Sequence, residues 1–404
     1  MGAGLEPLPS APLPGCATPA AAPPLALAAA QDDLLRKLEQ IDLAKGLTQQ
    51  AARRARLQAA LLLELLQLPE LARAVGLAAG LRAAQRFAGV ARSHGSSMRQ
   101  MLPRLCEDVQ PQLFVVGGCV AGTELACLQH YDPQHNVWDV RQAMPTERRW
   151  CSGAHCMGKI YVVGGQQDGH VLATVERYDV EMDVWEAVPD MPTAREACAV
   201  ATCGSCLYVC GGCQHDEALA VTECLNIDTA TMWWECVAEM PCGRDACAAA
   251  SLTGRVFVVG GRCQDFLSSA DMLQVQSNRW LPLPPMPTPR LGCSAAAVGK
   301  HLFVFGGHAG RGRALAAVER LDTSAFVWEA VAEMPTPRLG CVSLCHRPSA
   351  STQCICVFGG HNGQGAIAAA ECMDVAENGD VLGWRPLPCL PTPTYACAGG
   401  VSRC

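Results

Sequence analysis

From Gln110 onward the chain alternates short apolar runs with glycine pairs. Four apolar residues precede a double glycine six times: Leu113–Val116 before Gly117-Gly118, Ile160–Val163 before Gly164-Gly165, Leu207–Cys210 before Gly211-Gly212, Val256–Val259 before Gly260-Gly261, Leu302–Phe305 before Gly306-Gly307, and Ile355–Phe358 before Gly359-Gly360. Runs this short, stopped by glycine, predict buried strands rather than helices. The unit recurs every 46 to 53 residues. Each glycine pair is followed 19 to 24 residues later by a tryptophan: Trp138, Trp185, Trp234, Trp280, Trp328 and Trp384. Asp132, Asp179, Asp228 and Asp322 stand six residues before four of these, and Asp374 stands ten before Trp384. Met-Pro follows the first five tryptophans, and Leu390-Pro391 follows the sixth.

A different pattern occupies the first hundred residues. Residues 1–30 are Pro/Ala low-complexity sequence, too poor in packable side chains to order a core, and are expected to be disordered. Residues 31–105 are rich in Ala, Leu, Arg and Gln, and Leu34, Leu35, Leu38, Ile41 and Ala44 follow helical spacing, which predicts a small α-helical region. Three helices are expected there: one ending at Gly46, a second over Ala51 to Leu66, and a third over Leu71 to Val90.

The order of double glycine, Tyr-Asp, Trp and Met-Pro resembles the Kelch repeat, whose period is about 50 residues. The tyrosine survives only as Tyr131 and Tyr178, and Ile227, Leu321 and Met373 replace it elsewhere. The resemblance covers residues 110–404 and implies an all-β fold, a six-bladed β-propeller of four-stranded antiparallel sheets. In each blade the glycines end the second strand, Asp suits the turn after the third, and Trp opens the outer strand and fills the gap between neighbouring blades. The first repeat begins at a second strand, and the chain ends with a spare inner strand from Ala396 to about Ser402. Closure of the first blade by that C-terminal strand is therefore expected, since it removes exposed sheet edges.

Charge divides the chain. Residues 31–106 hold twelve Arg and Lys against six Asp and Glu, whereas the propeller region carries the acidic excess that brings the whole chain to −7. An acidic propeller disfavours nucleic acid as a partner, because phosphates need a basic face. No apolar run approaches the length of about 20 residues that a membrane helix needs. Residues 1–30 contain no Lys or Arg, so the charged start of a secretory signal is missing and a cytoplasmic location is expected. The 25 cysteines lie mostly inside small apolar strand-like runs and read as reduced, buried thiols rather than a disulfide framework.

Two residue types recur in phase with the repeat. Arg148, Arg195, Arg244, Arg290 and Arg338 stand four residues after the Met of Met-Pro, with Thr394 in the sixth repeat. At the start of inner strands they would ring one mouth of the central channel, and Arg262, Arg311 and Arg313, in loops after double glycines, could join them. In the Kelch substrate adaptors that the pattern resembles, such arginines bind acidic motifs, consistent with bidentate guanidinium recognition of carboxylate or phosphate. The competing reading pairs each Arg with a carbonyl or carboxylate of a neighbouring blade. Three residues further on lie Cys151, Cys198, Cys247, Cys293, Cys341 and Cys397, expected to line the channel. A metal or redox ring competes there with small residues fitted to a narrow axis, and the small neighbours Ala199, Ala248, Ser294 and Ala398 favour packing.

Other constellations favour structural roles. Cys203-Gly-Ser-Cys206 and Cys210-Gly-Gly-Cys213 are separated by too short a connection for a typical zinc site. His308 and His361 follow double glycines in loops, where hydrogen bonding within the loop suffices. No Lys-Ser/Thr follows any glycine pair, so no phosphate loop is present. Neither metal nor cofactor is expected. The stretch from Leu66-Gln-Leu-Pro to Val90-Ala-Arg-Ser93 faintly resembles an F-box, which would make the chain a ubiquitin-ligase adaptor that binds ligase core subunits; His94 stands where that motif has Trp. The function expected is a non-enzymatic protein-binding scaffold. The alternative is a sugar-processing enzyme of the Kelch mutarotase type; the copper radical oxidases, which use a Tyr–Cys pair with His ligands, find no matching set among the five tyrosines.

Overall fold

A computed structural model describes residues 111–403 other than 228–230, 311–312 and 349–351. The helical expectations for residues 31–105 and the disorder expected for residues 1–30 lie outside the described residues. Six four-stranded antiparallel sheets carry the six repeats, each in sequential order from the inner to the outer strand except the first. In that blade the C-terminal strand Ala398–Arg403 forms the inner edge and pairs with Pro111–Val116, from Pro111 opposite Arg403 to Val116 opposite Ala398. Leu128–Asp132 and Val137–Arg141 complete it. The expected closure is therefore present, and the core is divided among the interfaces between neighbouring blades. Leu113 and Val115 of the first blade, for example, pack with Cys356, Phe358 and Cys372 of the last.

The repeated residues explain why each sheet closes on its neighbour. Every repeat tryptophan donates its indole N–H to a carbonyl of the preceding blade: Trp185 to Gln142 at 2.9 Å, Trp234 to Pro189 at 2.9 Å, Trp280 to Ala238 at 2.8 Å, Trp328 to Pro284 at 2.8 Å and Trp384 to Ala332 at 3.1 Å. Trp138 reaches Pro388 at 2.8 Å and so closes the circle. Asp132, Asp179 and Asp322 each accept two backbone N–H groups of the turn they begin, the capping expected of Asp there. The glycine pairs sit where blades approach most closely. At Gly164 (φ +56°) a Cβ would lie 2.3 Å from the Arg195 carbonyl, and at Gly165 (φ +97°) 2.7 Å from that of Arg149, so no side chain fits at either.

A second closure runs around the axis. The residue before each channel cysteine is left-handed: Trp150, Ala197, Ala246, Gly292, Gly340 and Ala396, with φ between 47° and 62°. Each donates its backbone N–H to the carbonyl of its counterpart in the adjacent blade. Ala197 donates to Trp150, Ala246 to Ala197, Gly292 to Ala246, Gly340 to Gly292, Ala396 to Gly340 and Trp150 to Ala396, all between 2.7 and 2.9 Å. The result is a closed ring of six peptide hydrogen bonds. The left-handed turn aims each N–H sideways at the next blade, although it costs non-glycine residues about 1–2 kcal/mol each.

Candidate partner-binding site

Two sets of loops share one face of the propeller: those leading from each outer strand to the next inner strand, and those after the double glycines. The recurring arginines belong to the first set. Arg148, Arg195, Arg244, Arg290 and Arg338 are all 0 % exposed. Each turns inward along its own blade. Arg290 donates to the carbonyls of Gly306 (3.0 Å) and Ala317 (3.1 Å) and pairs with Glu319 at 2.7 Å. Arg148 reaches Gly164, Thr174 and Glu176, and Arg195 reaches Gly211, Val221 and Glu223. Arg244 pairs with Asp271, and Arg338 with Glu371 at 2.9 Å. The carbonyl of each arginine also accepts the N–H of the second glycine in the preceding blade, as Gly118 donates to Arg148 at 2.9 Å. The arginines thus staple blade to blade. Contact between them and a partner, which the Kelch resemblance implies, gives way to this internal role, because none of these five guanidiniums reaches the surface.

The sixth repeat makes the logic visible. Thr394 replaces the arginine and donates its hydroxyl to the Gly117 carbonyl at 3.0 Å. The position that holds Glu176, Glu223, Asp271, Glu319 and Glu371 elsewhere holds the fully buried Gln129, which exchanges hydrogen bonds with the backbone of Thr392 at 2.8 and 3.1 Å. Cation and anion are lost together. The acid recurs second in every third strand but the first, a signal carried by the sequence itself.

At the mouth stands the residue after each arginine, and after Thr394 in the sixth repeat. Arg149, Glu196, Asp245, Leu291, Leu339 and Tyr395 follow in order, and each forms a single antiparallel bridge to the residue after a glycine pair: Gln166, Cys213, Arg262, His308, His361 and Cys119. Half of the rim is charged and half apolar. On the charged side Arg149 donates to Gln166 and lies 3.4 Å from Glu124, and Arg262 pairs with Asp245 at 2.7 Å with its own side chain 51 % exposed. Burial, with Asp216 and Asp245 nearby, outweighs Arg149 and pushes the Glu196 carboxyl up. On the apolar side Tyr395 packs between the rings of Trp150 and His361, and Phe266 packs against His308. His308 and His361 each accept a backbone N–H of their own loop, from Gly310 and Gly363. Arg313 is exposed in the loop beside Phe266; Arg311 lies outside the described residues.

Below the rim, Cys151, Cys198, Cys247, Cys293, Cys341 and Cys397 surround a throat of about 90 Å³, all buried. Burial pushes the Cys151, Cys198 and Cys293 thiols up to about 11, with the nearby arginines only partly offsetting it. Protonated thiols of this kind serve as small packing groups. Past the throat the channel opens into a cavity of about 570 Å³ lined mainly by the small side chains of the inner strands. The two CxxC pairs stand apart: Cys203 lies opposite Cys206 at one end of its blade, and Cys210 opposite Ala199 at the other.

Six sheets closed by the tail, joined by tryptophan and by glycine pairs, define a Kelch-type β-propeller. The family model described as the KLHDC2/KLHL20/DRC7 Kelch-repeats domain matches residues 97–261 and 197–396, and the chain belongs to that family. A search of curated proteins returned no match. Among the described residues no helix is long and apolar enough to cross a membrane.

Proposed function

We propose that this chain is a non-catalytic, cytoplasmic binding scaffold whose partner docks across the rim of the propeller. The ligand is a segment bearing an acidic or phosphorylated residue beside an apolar one. Its anion meets Arg262 and Arg313, and its apolar residue meets Leu291, Phe266 and the Trp150–Tyr395 side. One observation carries the reading: the guanidiniums left exposed on this face stand in neighbouring loops beside an apolar half-rim, while the recurring arginines are spent inside the blades. Membership in a family of Kelch domains supports protein binding in general. As a ubiquitin-ligase adaptor, the chain would carry that partner to ligase core subunits held by residues 31–105.

The test is a peptide array of acidic and phosphorylated segments, followed by affinity measurement on full-length protein. Replacing Arg262 and Arg313 together by Glu is expected to weaken binding about tenfold or more, the loss of roughly one charge-assisted contact. Unchanged affinity rules out this face. Deleting residues 31–105 is expected to abolish recovery of ligase subunits while peptide affinity is retained. Turnover of a sugar by the pure protein would favour the mutarotase alternative.

A further inference from the structure

Blade six differs from the others at the end of the sheet remote from the rim. There the second blade pairs Lys159 with Asp179 at 2.6 Å and the fifth pairs Lys300 with Asp322 at 2.7 Å. In the sixth, Cys354 lies between His346 and Asp374, and two residues on, on the same face of the sheet, Cys356 lies opposite Cys372. The ring nitrogen of His346 and the sulfurs of Cys356 and Cys372 lie within 4.8 Å of one another, as do donor atoms of Cys354, Cys372 and Asp374. The Cys356 and Cys372 sulfurs are 3.5 Å apart. All four residues of the Cys/His set are at most 2 % exposed, and the three cysteines pack with Leu113, Val115 and Tyr131 of the first blade. Arg385 stands outside them, its guanidinium 3.4 Å from the Cys372 sulfur and 3.8 Å from that of Cys354, and 3.3 Å from Asp374.

We propose that His346, Cys354, Cys356 and Cys372 form a structural zinc site at the seam between the last blade and the first. Tetrahedral zinc, with Zn–S near 2.3 Å and Zn–N near 2.0–2.1 Å, holds its donors roughly 3.5–3.8 Å apart, the separation that the Cys356 and Cys372 sulfurs already have. The donor set, three sulfurs and one imidazole, is one that structural zinc uses. Cys372 is common to both donor groups, and Cys354 joins by turning from Asp374, which it meets at 3.0 Å, toward the shared sulfur. Each ligating thiol releases its proton to solvent, so three thiolates and the dication leave one negative charge. Arg385 faces that charge directly and acts as the outer partner that such sites commonly have. Arg385 and Asp374 are partly exposed and give a metal ion a way in. Spacing hid the site: its ligands come from three strands, and the short C-x-C of Cys354 and Cys356 is an ordinary strand pattern.

The test uses full-length protein purified under reducing conditions, stripped with a chelator and titrated with Co²⁺, then with Zn²⁺. One equivalent of Co²⁺ is expected to give the visible bands of tetrahedral thiolate cobalt, and Zn²⁺ to displace it and raise Tm. Cys372→Ser should lower cobalt affinity at least tenfold, whereas Cys293→Ala, in the channel throat, should not. Should Cys372→Ser fail to fold, His346→Gln carries the same test, since it keeps the three sulfurs. Absence of thiolate–cobalt bands, or cobalt affinity unchanged in the Cys372→Ser or His346→Gln protein, overturns the proposal.

Discussion

At the residue scale, the ring of left-handed positions is the sharpest consequence of the fold. Ala246 and Gly292 occupy equivalent places with φ of 47° and 62°, and both hold the same neighbour-to-neighbour hydrogen bond. Alanine is strained there and glycine is not. Ala246→Gly is therefore expected to stabilise the protein by about 0.5–1 kcal/mol despite the looser unfolded chain, and Gly292→Ala to destabilise it by about 1 kcal/mol. Space does not confound the second change, because the nearest atom to a new Cβ at Gly292 is 3.6 Å away. Urea unfolding of both variants measures the pair. Equal shifts of one sign would mean that hydrogen bonding rather than strain decides these positions. That five of the six residues before the channel cysteines are Ala or Gly is visible in the chain, but their left-handed geometry, which Trp150 shares, is not: nothing local demands it, and it is imposed by the adjacent blade.

At the element scale, each blade is pinned by one arginine–carboxylate pair, except the first. Removing one partner of a buried pair strands the other charge, so Arg290→Ala is expected to cost about 3–5 kcal/mol. The first blade shows the remedy. Changing Arg290 to Thr and Glu319 to Gln together copies Thr394 and Gln129, and Thr288 already stands where Thr392 supports that arrangement. The double variant is expected to recover most of the loss, as judged by chemical denaturation. A double variant no more stable than Arg290→Ala would mean that the two blades are not interchangeable in this respect. The arginines were legible in the sequence as a repeat, and their direction was not. A charged residue at the start of an inner strand can face solvent or the sheet, and only the acid in the third strand, brought beside it by pairing, settles the choice.

At the scale of the whole molecule, closure depends on residues almost three hundred positions apart. The strand Ala398–Arg403 is the inner edge of the first blade, and Tyr395 and Ala396 join the rim and the axial ring. Deleting residues 395–404 removes all three contacts at once. It is expected to abolish the cooperative unfolding transition rather than shift it, and to expose the paired edge of Pro111–Val116 to aggregation. Differential scanning calorimetry with light scattering reads both effects. A truncated protein that keeps a single transition near the original Tm would mean that the ring holds without its tail.

The sequence by itself determined the number of blades, the strand order within each and the closure by the C-terminal strand, because these follow from a repeat counted in phase, with an inner strand lacking in the first repeat and one spare after the last. Local chemistry such as glycine turns, Asp caps and apolar runs is written residue by residue, and needs no distant partner to be read. Only the tertiary structure decided which side chains the rim presents and which donors meet in the sixth blade. Those outcomes depend on the direction of a side chain relative to a neighbouring strand, a relation that exists only once the ring has closed.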